Sequence, residues 1–164
     1  MWITMGLFGK KEEKTGQLLA PVSGECIPLE RVKDEAFASK LCGDGIAMIP
    51  SENLFRSPAD GVVTGIAESK HAYTITTNDG LELLVHIGID TVELKGEGFS
   101  PKVAVGDKVK CGDVLCEADV HFIREKGYDT TSPAVVSNMD EVKKVKFHTG
   151  FVTGGKNAVI EYSL

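Results

Sequence analysis

The stretch HAYTITTNDGLELLVHIGID, residues 71–90, has the pattern of two strands joined by a tight turn. Apolar and polar residues alternate on both sides of Asn78–Gly80, as they do in half-buried strands. The turn residues themselves, Asn-Asp-Gly, are a strong hairpin signal. The stretch therefore predicts a β-hairpin with one histidine near each end, His71 and His86.

The register of this hairpin decides whether the two imidazoles meet. A two-residue loop would place His71 directly opposite His86, close enough for both rings to hold one small ligand. A three-residue loop with a glycine bulge would instead pair Tyr73 with Val85, and the hydrophobic pattern favours this register. It turns His86 away from the core and His71 towards the apolar side, so a second bulge near the strand ends would be needed to unite them. The residues alone leave the choice open.

The rest of the chain predicts an all-β fold. Short runs rich in Val, Ile, Leu and Thr recur between glycine and proline turns, which is typical of a β-sandwich or β-barrel. Pro-x-x-Gly and Gly-Asp turns occur in barrel-sandwich hybrid folds, and only a few short helical turns are expected. The further predicted strands are GVVTGIA (61–67), PAVVSN (133–138) and NAVIEY (157–162), and the short helices lie around 29–37, 118–126 and 139–142.

The composition is that of one soluble domain. The chain has 164 residues and a net charge of -6 at pH 7, which argues against nucleic acid and for a basic protein surface as partner. The four cysteines form no C-x-x-C pair, and no secretory signal is recognisable. We therefore expect reduced thiols in a cytoplasmic protein. No apolar run reaches the ~20 residues of a membrane-spanning helix.

Residues 1–16 are predicted to form a flexible N-terminal tail ahead of a single domain, residues 17–164. The segment Met1–Phe8 is apolar and lysines follow it, so a weak interfacial contact with a membrane is the alternative interpretation. Met5 is an alternative start of the protein.

The histidine pair makes phosphoryl chemistry one of several candidate functions. A neutral imidazole is available as a nucleophile near pH 7, and a second imidazole can donate a hydrogen bond to a phosphoryl oxygen. The hydroxyl of Ser69 can fix the tautomer of the neighbouring ring. The chain has no Walker loop, no kinase motif set and no evident Mg²⁺ ligand cluster. A phosphate on His86 would therefore come from another phosphoprotein.

Two other functions fit part of the pattern. Pro-x-x-Gly and Gly-Asp turns also occur in lipoyl and biotinyl carrier domains, but the hairpin turn offers no lysine to modify. A zinc hydrolase would use the two histidines, but the chain contains neither HExxH nor H-x-H. Two histidines at this spacing could also simply bind a metal ion together, without catalysing a reaction.

The longer motifs carry a family resemblance. The segment LLVHIGIDTVELKGEGF (83–99) resembles the glucose-type IIA component of the bacterial phosphoenolpyruvate-dependent sugar phosphotransferase system. The resemblance extends from about Met5 to the C-terminus and implies a phosphotransferase component with a flattened antiparallel β-sandwich of the duplicated hybrid type. Supporting stretches are APVSGE (20–25), FASKLCGDGIA (37–47), SPADGVV (57–63), VGDKV (105–109) and TSPAVVSNMDEV (131–142).

The resemblance also implies roles for individual residues. His86 would carry the phosphate on Nε2, and His71 would stabilise it. The carbonyl of Gly88 would accept a hydrogen bond from His86 Nδ1, and Ser69 keeps the hydroxyl of a family threonine. Partners would meet an apolar depression with an acidic rim, and the matching positions are Phe37, Ile46, Leu84 and Val92, with Asp34 and Asp90 on the rim.

The implied pathway has two protein partners. Phosphorylated HPr would be the donor, and a cysteine of a IIB sugar-permease domain would be the acceptor. Both would use the same shallow face of a monomer, and no cofactor is required. In some family complexes the two histidines also bind zinc, which makes His71 and His86 candidate zinc ligands.

Overall fold

The structure is a computed structural model that describes residues 14–164. Over this range the chain forms fourteen β-strands, two short α-helices and three 3₁₀ turns. The strands are β1 (Thr15–Leu19), β2 (Gly24–Pro28), β3 (Asp44–Pro50), β4 (Leu54–Arg56), β5 (Gly61–Ile66), β6 (Ala72–Thr77), β7 (Glu82–His86), β8 (Phe99–Pro101), β9 (Lys108–Val109), β10 (Val114–Ala118), β11 (Ser132–Val136), β12 (Lys144–Phe147), β13 (Gly150–Val152) and β14 (Ala158–Ser163). The helices are α1 (Glu35–Ala38) and α2 (Val120–Glu125), and the 3₁₀ turns are Leu29–Arg31, Thr91–Leu94 and Met139–Glu141.

The strands form three antiparallel sheets, which confirms the predicted all-β sandwich with short helical turns. The largest sheet has eight strands in the order β13-β2-β3-β11-β7-β6-β5-β9. Two three-stranded sheets, β1-β14-β12 and β4-β10-β8, complete the fold. Every strand pair in residues 14–164 is antiparallel. The main hydrophobic core takes side chains from all three sheets, including Leu18, Phe55 and Val85.

The eight-stranded sheet buries apolar residues on both of its faces. In β7, Leu83 and Val85 belong to the main core, whereas Leu84 packs against a second and smaller cluster on the opposite face. Alternation along a strand places His86 on the same face as Leu84. We call this second group the outer cluster; its buried members are Ile27, Leu29, Val32, Phe37, Ala47, Ile89 and Val135.

The hairpin of β6 and β7 has the three-residue loop. Tyr73 pairs with Val85, and the ladder ends with Ala72 opposite His86. Gly80 has a φ of 95°, a left-handed conformation that glycine adopts without a Cβ penalty. The register favoured by the hydrophobic pattern is therefore confirmed, and direct pairing of the two histidines is excluded.

The loop of this hairpin is tied to the C-terminal strand through Asp79. The side chain of Asp79 accepts hydrogen bonds from the hydroxyls of Thr77 and Tyr162, each with an O···O distance of 2.5 Å. The Thr77 hydroxyl also accepts a hydrogen bond from the N–H of Leu81 at 2.8 Å. These bonds link the turn to both of its strands and to β14, so they stabilise one register over its neighbour.

Two residues that were expected in the tail lie in a strand. Thr15 and Gly16 pair with Ser163 and Tyr162 in the ladder of β1 and β14. The backbone of Lys14 also accepts a hydrogen bond from Leu164. The pairing partners lie at the far end of the chain, so no local pattern marks this start. The remainder of the predicted tail, with its proposed membrane contact, lies outside the described residues.

Neither α-helix in the described part of the chain has the length and apolarity that a membrane-spanning helix requires.

Candidate functional site

His86 ends β7 and is oriented by the turn that follows it. Gly88 has a φ of 77°, which bends the chain back so that its carbonyl lies 2.7 Å from His86 Nδ1. A carbonyl oxygen can only accept, so Nδ1 carries the ring proton and donates it. In a neutral imidazole this leaves Nε2 as the nitrogen with a free lone pair.

His71 lies one residue before β6, and its ring meets that of His86. The two ring centroids are 4.9 Å apart and the rings are nearly perpendicular, with an interplanar angle of 84°. The carbonyl of His71 accepts a hydrogen bond from the N–H of Ile87 at 2.7 Å, which fixes its backbone beside β7. The sequence prediction that both imidazoles share one site is therefore correct.

The rings meet without the second bulge that we expected. The described pairs of the β6–β7 ladder run without a register shift. Lys70, immediately before His71, has a left-handed φ of 63°, so the chain enters the ladder from a turn. Beyond the last pair of a ladder, strict alternation no longer decides where a side chain lies. The neighbouring β5–β6 pair does contain a register shift, between Val63 and Gly65.

Both histidines are neutral at pH 7. Burial, followed by the proximity of His86, lowers the pKa of His71 from 6.5 to about 4, against a smaller raising effect of the Ser69 backbone. Burial also lowers the pKa of His86, and the hydrogen bond to Gly88 and the charges of Asp34 and Asp90 oppose this. A neutral pair avoids the repulsion of two imidazolium ions at this distance.

Ser69 approaches His71 through its backbone and not through its hydroxyl. His71 Nδ1 is buried and forms no hydrogen bond of normal geometry with the described residues. The tautomer-fixing role of the Ser69 hydroxyl is therefore not seen in this structure and stays a prediction.

The ring of Phe37 packs against the ring of His86. Its ring lies 5.0 Å from that of His86 at an interplanar angle of 59°, and its side chain is buried in the outer cluster. Asp34 positions it, because the Asp34 carboxylate caps α1 by accepting hydrogen bonds from the N–H groups of Ala36 (2.9 Å) and Phe37 (3.3 Å). Asp34 therefore helps to place the Phe37 ring against His86, and its charge also raises the pKa of His86.

The residues predicted for the partner face differ in their exposure. Val92 is 51% exposed and Leu84 half-buried, while Asp90 is exposed beside the histidines with a φ of 61°. Ile46 is a wrong assignment, because it is fully buried in the main core. Its neighbour Ala47 points to the outer cluster instead.

Leu41, three residues after the end of α1, is 81% exposed, which was not predicted because an isolated leucine in a loop carries no sequence sign of exposure. Two buried residues beside His86 were not predicted either. Ser132 and Thr91 are buried polar residues that hold the backbone around Gly88. Thr91 lies in the segment 83–99, but its partner is a backbone carbonyl, which leaves no mark on the sequence.

The arrangement provides one nucleophile and one hydrogen-bond donor in an apolar setting. His86 Nε2 can attack an electrophile, and the ring of His71 lies beside that of His86, with the centroids 4.9 Å apart. Phosphoryl transfer asks for positioning and charge stabilisation and little further chemistry, which this pair can supply. No group of three or more His, Cys, Asp or Glu side chains among residues 14–164 is arranged to hold a metal ion.

Comparisons with known proteins agree with this chemistry. The family model described as "phosphoenolpyruvate-dependent sugar phosphotransferase system, EIIA 1" matches residues 16–142. The glucose-specific EIIA components of Haemophilus influenzae and Buchnera aphidicola are each 42% identical to the chain, over 156 and 147 residues. These alignments cover 94% of both chains for the first, and 90% of this chain and 91% of the relative for the second.

The fold is similar to that of a solved structure of the same kind. Glucose permease IIA from Mycoplasma capricolum superposes with a TM-score of 0.85 at 34% sequence identity. The match covers 98% of this chain and 99% of that one. The similarity therefore extends over the whole sandwich, including the segment that holds both histidines.

Proposed function

The chain belongs to the EIIA 1 family of the phosphoenolpyruvate-dependent sugar phosphotransferase system, and from this premise we propose that His86 carries the phosphoryl group. The protein is a phosphocarrier that accepts a phosphoryl group from phosphorylated HPr on a histidine and passes it to a cysteine of a IIB component. The observation that carries the assignment to His86 is its 2.7 Å hydrogen bond to the Gly88 carbonyl, which leaves Nε2 unprotonated.

The transfer requires one nucleophilic nitrogen. Nε2 of neutral His86 attacks the phosphorus, and a new N–P bond forms while the bond from phosphorus to the donor breaks and the donor keeps that electron pair. The ring then gains positive charge, which the Gly88 carbonyl stabilises through the Nδ1 proton. In the second half of the cycle a cysteine thiolate of the acceptor attacks the same phosphorus, and His86 leaves as a neutral ring.

His71 is assigned the stabilisation of the bound phosphate. Its pKa of about 4 keeps the ring uncharged at pH 7, so it offers a hydrogen bond without a fixed charge. A neutral donor holds a phosphoryl oxygen but does not trap the group as a cation would, which suits a carrier that must pass it on. The Ser69 hydroxyl is retained as the predicted partner that selects the donating tautomer.

The face around His86 is assigned to both partners. Leu84 and Val92 provide apolar contact area, while Asp34 and Asp90 supply negative charge beside the nucleophile. Phe37, predicted for the same face, is only 6% exposed and instead packs against the His86 ring. Carboxylates at a rim steer a basic partner towards the site and raise the association rate. A shallow face that serves two partners in turn also fits weak, transient contacts.

Zinc is a secondary candidate at the same two rings. Imidazoles whose centroids lie 4.9 Å apart can both ligate one ion, but a zinc site needs four ligands. Because the described residues bring no third ligand group to this pair, a partner protein would have to complete the shell.

The protein is further proposed to act as a monomer in the cytoplasm. All four of its cysteines are free thiols, which suits a reducing compartment. A monomer leaves the single face around His86 open to each partner in turn.

The test is reconstitution with phosphoenolpyruvate, enzyme I, HPr and a IIB domain. His86→Gln is expected to take up no acid-labile phosphate. His71→Gln is expected to accept phosphate but to pass it on slowly. His121→Gln is the control, because the side chain of His121 is 83% exposed on α2, and it should behave like the parent. Phosphate uptake by His86→Gln at the parent's level would contradict the assignment.

A further inference from the structure

The peptide group before Gly88 is held at both of its ends by buried hydroxyls. The carbonyl of Ile87 accepts a hydrogen bond from Thr91 Oγ1 at 2.6 Å. The N–H of Gly88 donates to Ser132 Oγ at 3.1 Å. Thr91 is fully buried and Ser132 is 1% exposed, so water does not compete for these bonds.

The peptide group after Gly88 is equally constrained. Its carbonyl accepts from His86 Nδ1 at 2.7 Å, and its N–H, which belongs to Ile89, donates to the backbone carbonyl of Asp129 at 2.9 Å. Both peptide planes around Gly88 are therefore fixed, and one of the four bonds is the bond that sets the tautomer of His86.

Among the groups that bond to the two peptide groups around Gly88, the Ser132 hydroxyl is a side-chain group from a distant part of the chain. It is the first residue of β11, and its hydroxyl donates to the carbonyl of Thr130 at 2.8 Å while accepting from Gly88. The hydroxyl proton is committed to Thr130, so the oxygen lone pairs point to Gly88. Ser132 thus acts as an oriented acceptor and not as a freely rotating hydroxyl.

We propose that Ser132 is a positioning residue for phosphoryl transfer: by holding the N–H of Gly88, it keeps the Gly88 carbonyl against His86 Nδ1 and so keeps Nε2 free of a proton. The proposal rests on the assigned role of His86. Ser132 touches neither the phosphate nor the reacting nitrogen, and it acts through the backbone of Gly88.

Loss of this acceptor has a defined consequence. A buried N–H without a partner is costly, so the peptide group would rotate towards another acceptor. Rotation at Gly88 is easy because glycine tolerates a wide range of φ and ψ. The carbonyl of Gly88 would then move away from Nδ1. A histidine freed from this bond populates the Nε2–H tautomer, in which a proton blocks the nucleophile.

The test uses ¹⁵N-histidine NMR of the unphosphorylated protein at a pH where the ring is neutral. In the parent, His86 should show a protonated Nδ1 and an unprotonated Nε2. In Ser132→Ala the two shifts should move towards each other, as tautomers average, and phosphorylation by phospho-HPr should slow by about two- to tenfold. The HPr concentration for half-maximal rate should not change.

Three further variants separate positioning from packing. Ser132→Thr keeps the hydroxyl and should restore the parent spectrum and rate, while Ser132→Cys keeps the volume with a weaker acceptor and should be intermediate. Ser137→Ala is the matched control, because the exposed Ser137 hydroxyl bonds only to the Glu82 carbonyl, at 3.1 Å. It should leave both readouts unchanged.

Two results would overturn the proposal. One is a Ser132→Ala spectrum with the parent's tautomer shifts; the other is a Ser132→Thr or Ser132→Cys protein as perturbed as a folded alanine variant. Because the NMR readout needs no phosphate, it is independent of whether His86 is the phosphorylated residue. A wrong assignment of His86 would appear in the uptake assay and not in these spectra.

Discussion

Replacing Gly88 with alanine tests the geometry on which the whole site depends. A Cβ built at Gly88 would lie 2.6 Å from Thr91 Cγ2 and 3.1 Å from the carbonyl oxygen of Asp129. Thr91 cannot move aside cheaply, because it is fully buried and its hydroxyl is bonded to the Ile87 carbonyl. The new methyl group should therefore displace the Gly88 backbone and with it the carbonyl that orients His86.

The expected loss of stability has two parts. A non-glycine residue with left-handed φ costs about 1–2 kcal/mol, and forcing a methyl group into a packed site adds about 1–3 kcal/mol. Gly106→Ala separates them, because Gly106 also has a positive φ, 98°, but its Cβ would meet nothing within 4 Å. The control should lose only the first part, so Gly88→Ala should be less stable than Gly106→Ala by roughly 1–3 kcal/mol.

The two variants are compared by urea unfolding and by the rate of phosphate uptake from phospho-HPr. At about 2–4 °C per kcal/mol for a protein of this size, thermal unfolding should show the difference as a gap of several degrees. Gly88→Ala should take up phosphate at least tenfold more slowly than Gly106→Ala, which should equal the parent. Equal losses of stability together with parent-like uptake by Gly88→Ala would refute the view that this carbonyl orients the nucleophile.

Two other predictions follow from the charges of the site. Because burial lowers the pKa of His71 to about 4, the unfolded chain binds its proton at higher pH than the native protein does, so stability should fall between pH 6.5 and pH 4. The shift corresponds to at most about 3 kcal/mol, and His71→Gln should lack this part of the pH dependence in urea unfolding; parallel curves would show that the ring is not buried as described. Asp34→Asn keeps the cap of α1 but removes the charge, so it should slow phosphate transfer from HPr at low salt and match the parent at high salt. Asp119→Asn, the equivalent cap of α2, should have no effect at either salt concentration, and an equal slowing by both would mean that the local charge of Asp34 is not responsible.

The alternation of apolar residues predicted the histidine hairpin, but it does not extend to every strand. Strands β6 and β7 alternate clearly, so their existence was predictable, and the pattern favoured the observed register without deciding it. Strand β3 has no such alternation: Ile46, Ala47 and Met48 are all fully buried, because this strand is covered on both sides. A continuous apolar run does not tell which residues face which side. Ile46 was assigned to the partner face from the family resemblance, and the apolar run of β3 offered no alternation that could have corrected the assignment.

The pairing of the two histidines was predictable, but the residues that fix the backbone beside them were not. His71 and His86 flank a recognisable turn, and Gly88 follows at a fixed distance. The acceptor for the N–H of Gly88 is 44 positions away, in β11, and its serine looks like any other serine before a strand. Such partners depend on which strands become neighbours, and sequence patterns report this only weakly.

The site joins two requirements that usually conflict in a carrier. A nucleophile must be reactive enough to take the phosphoryl group, yet the bound group must leave easily. Here reactivity comes from the neutral His86 ring, whose tautomer is held by the backbone at Gly88 and not by a charged side chain. The nearest second group, His71, is also neutral, and the carboxylates of Asp34 and Asp90 act on the ring through their charge. With a lysine or arginine in the place of His71, the phosphoryl group would be held more tightly and the second transfer would slow. Under the proposed roles of the two histidines, the uncharged His71–His86 pair would allow one shallow face to accept the group from one partner and release it to another.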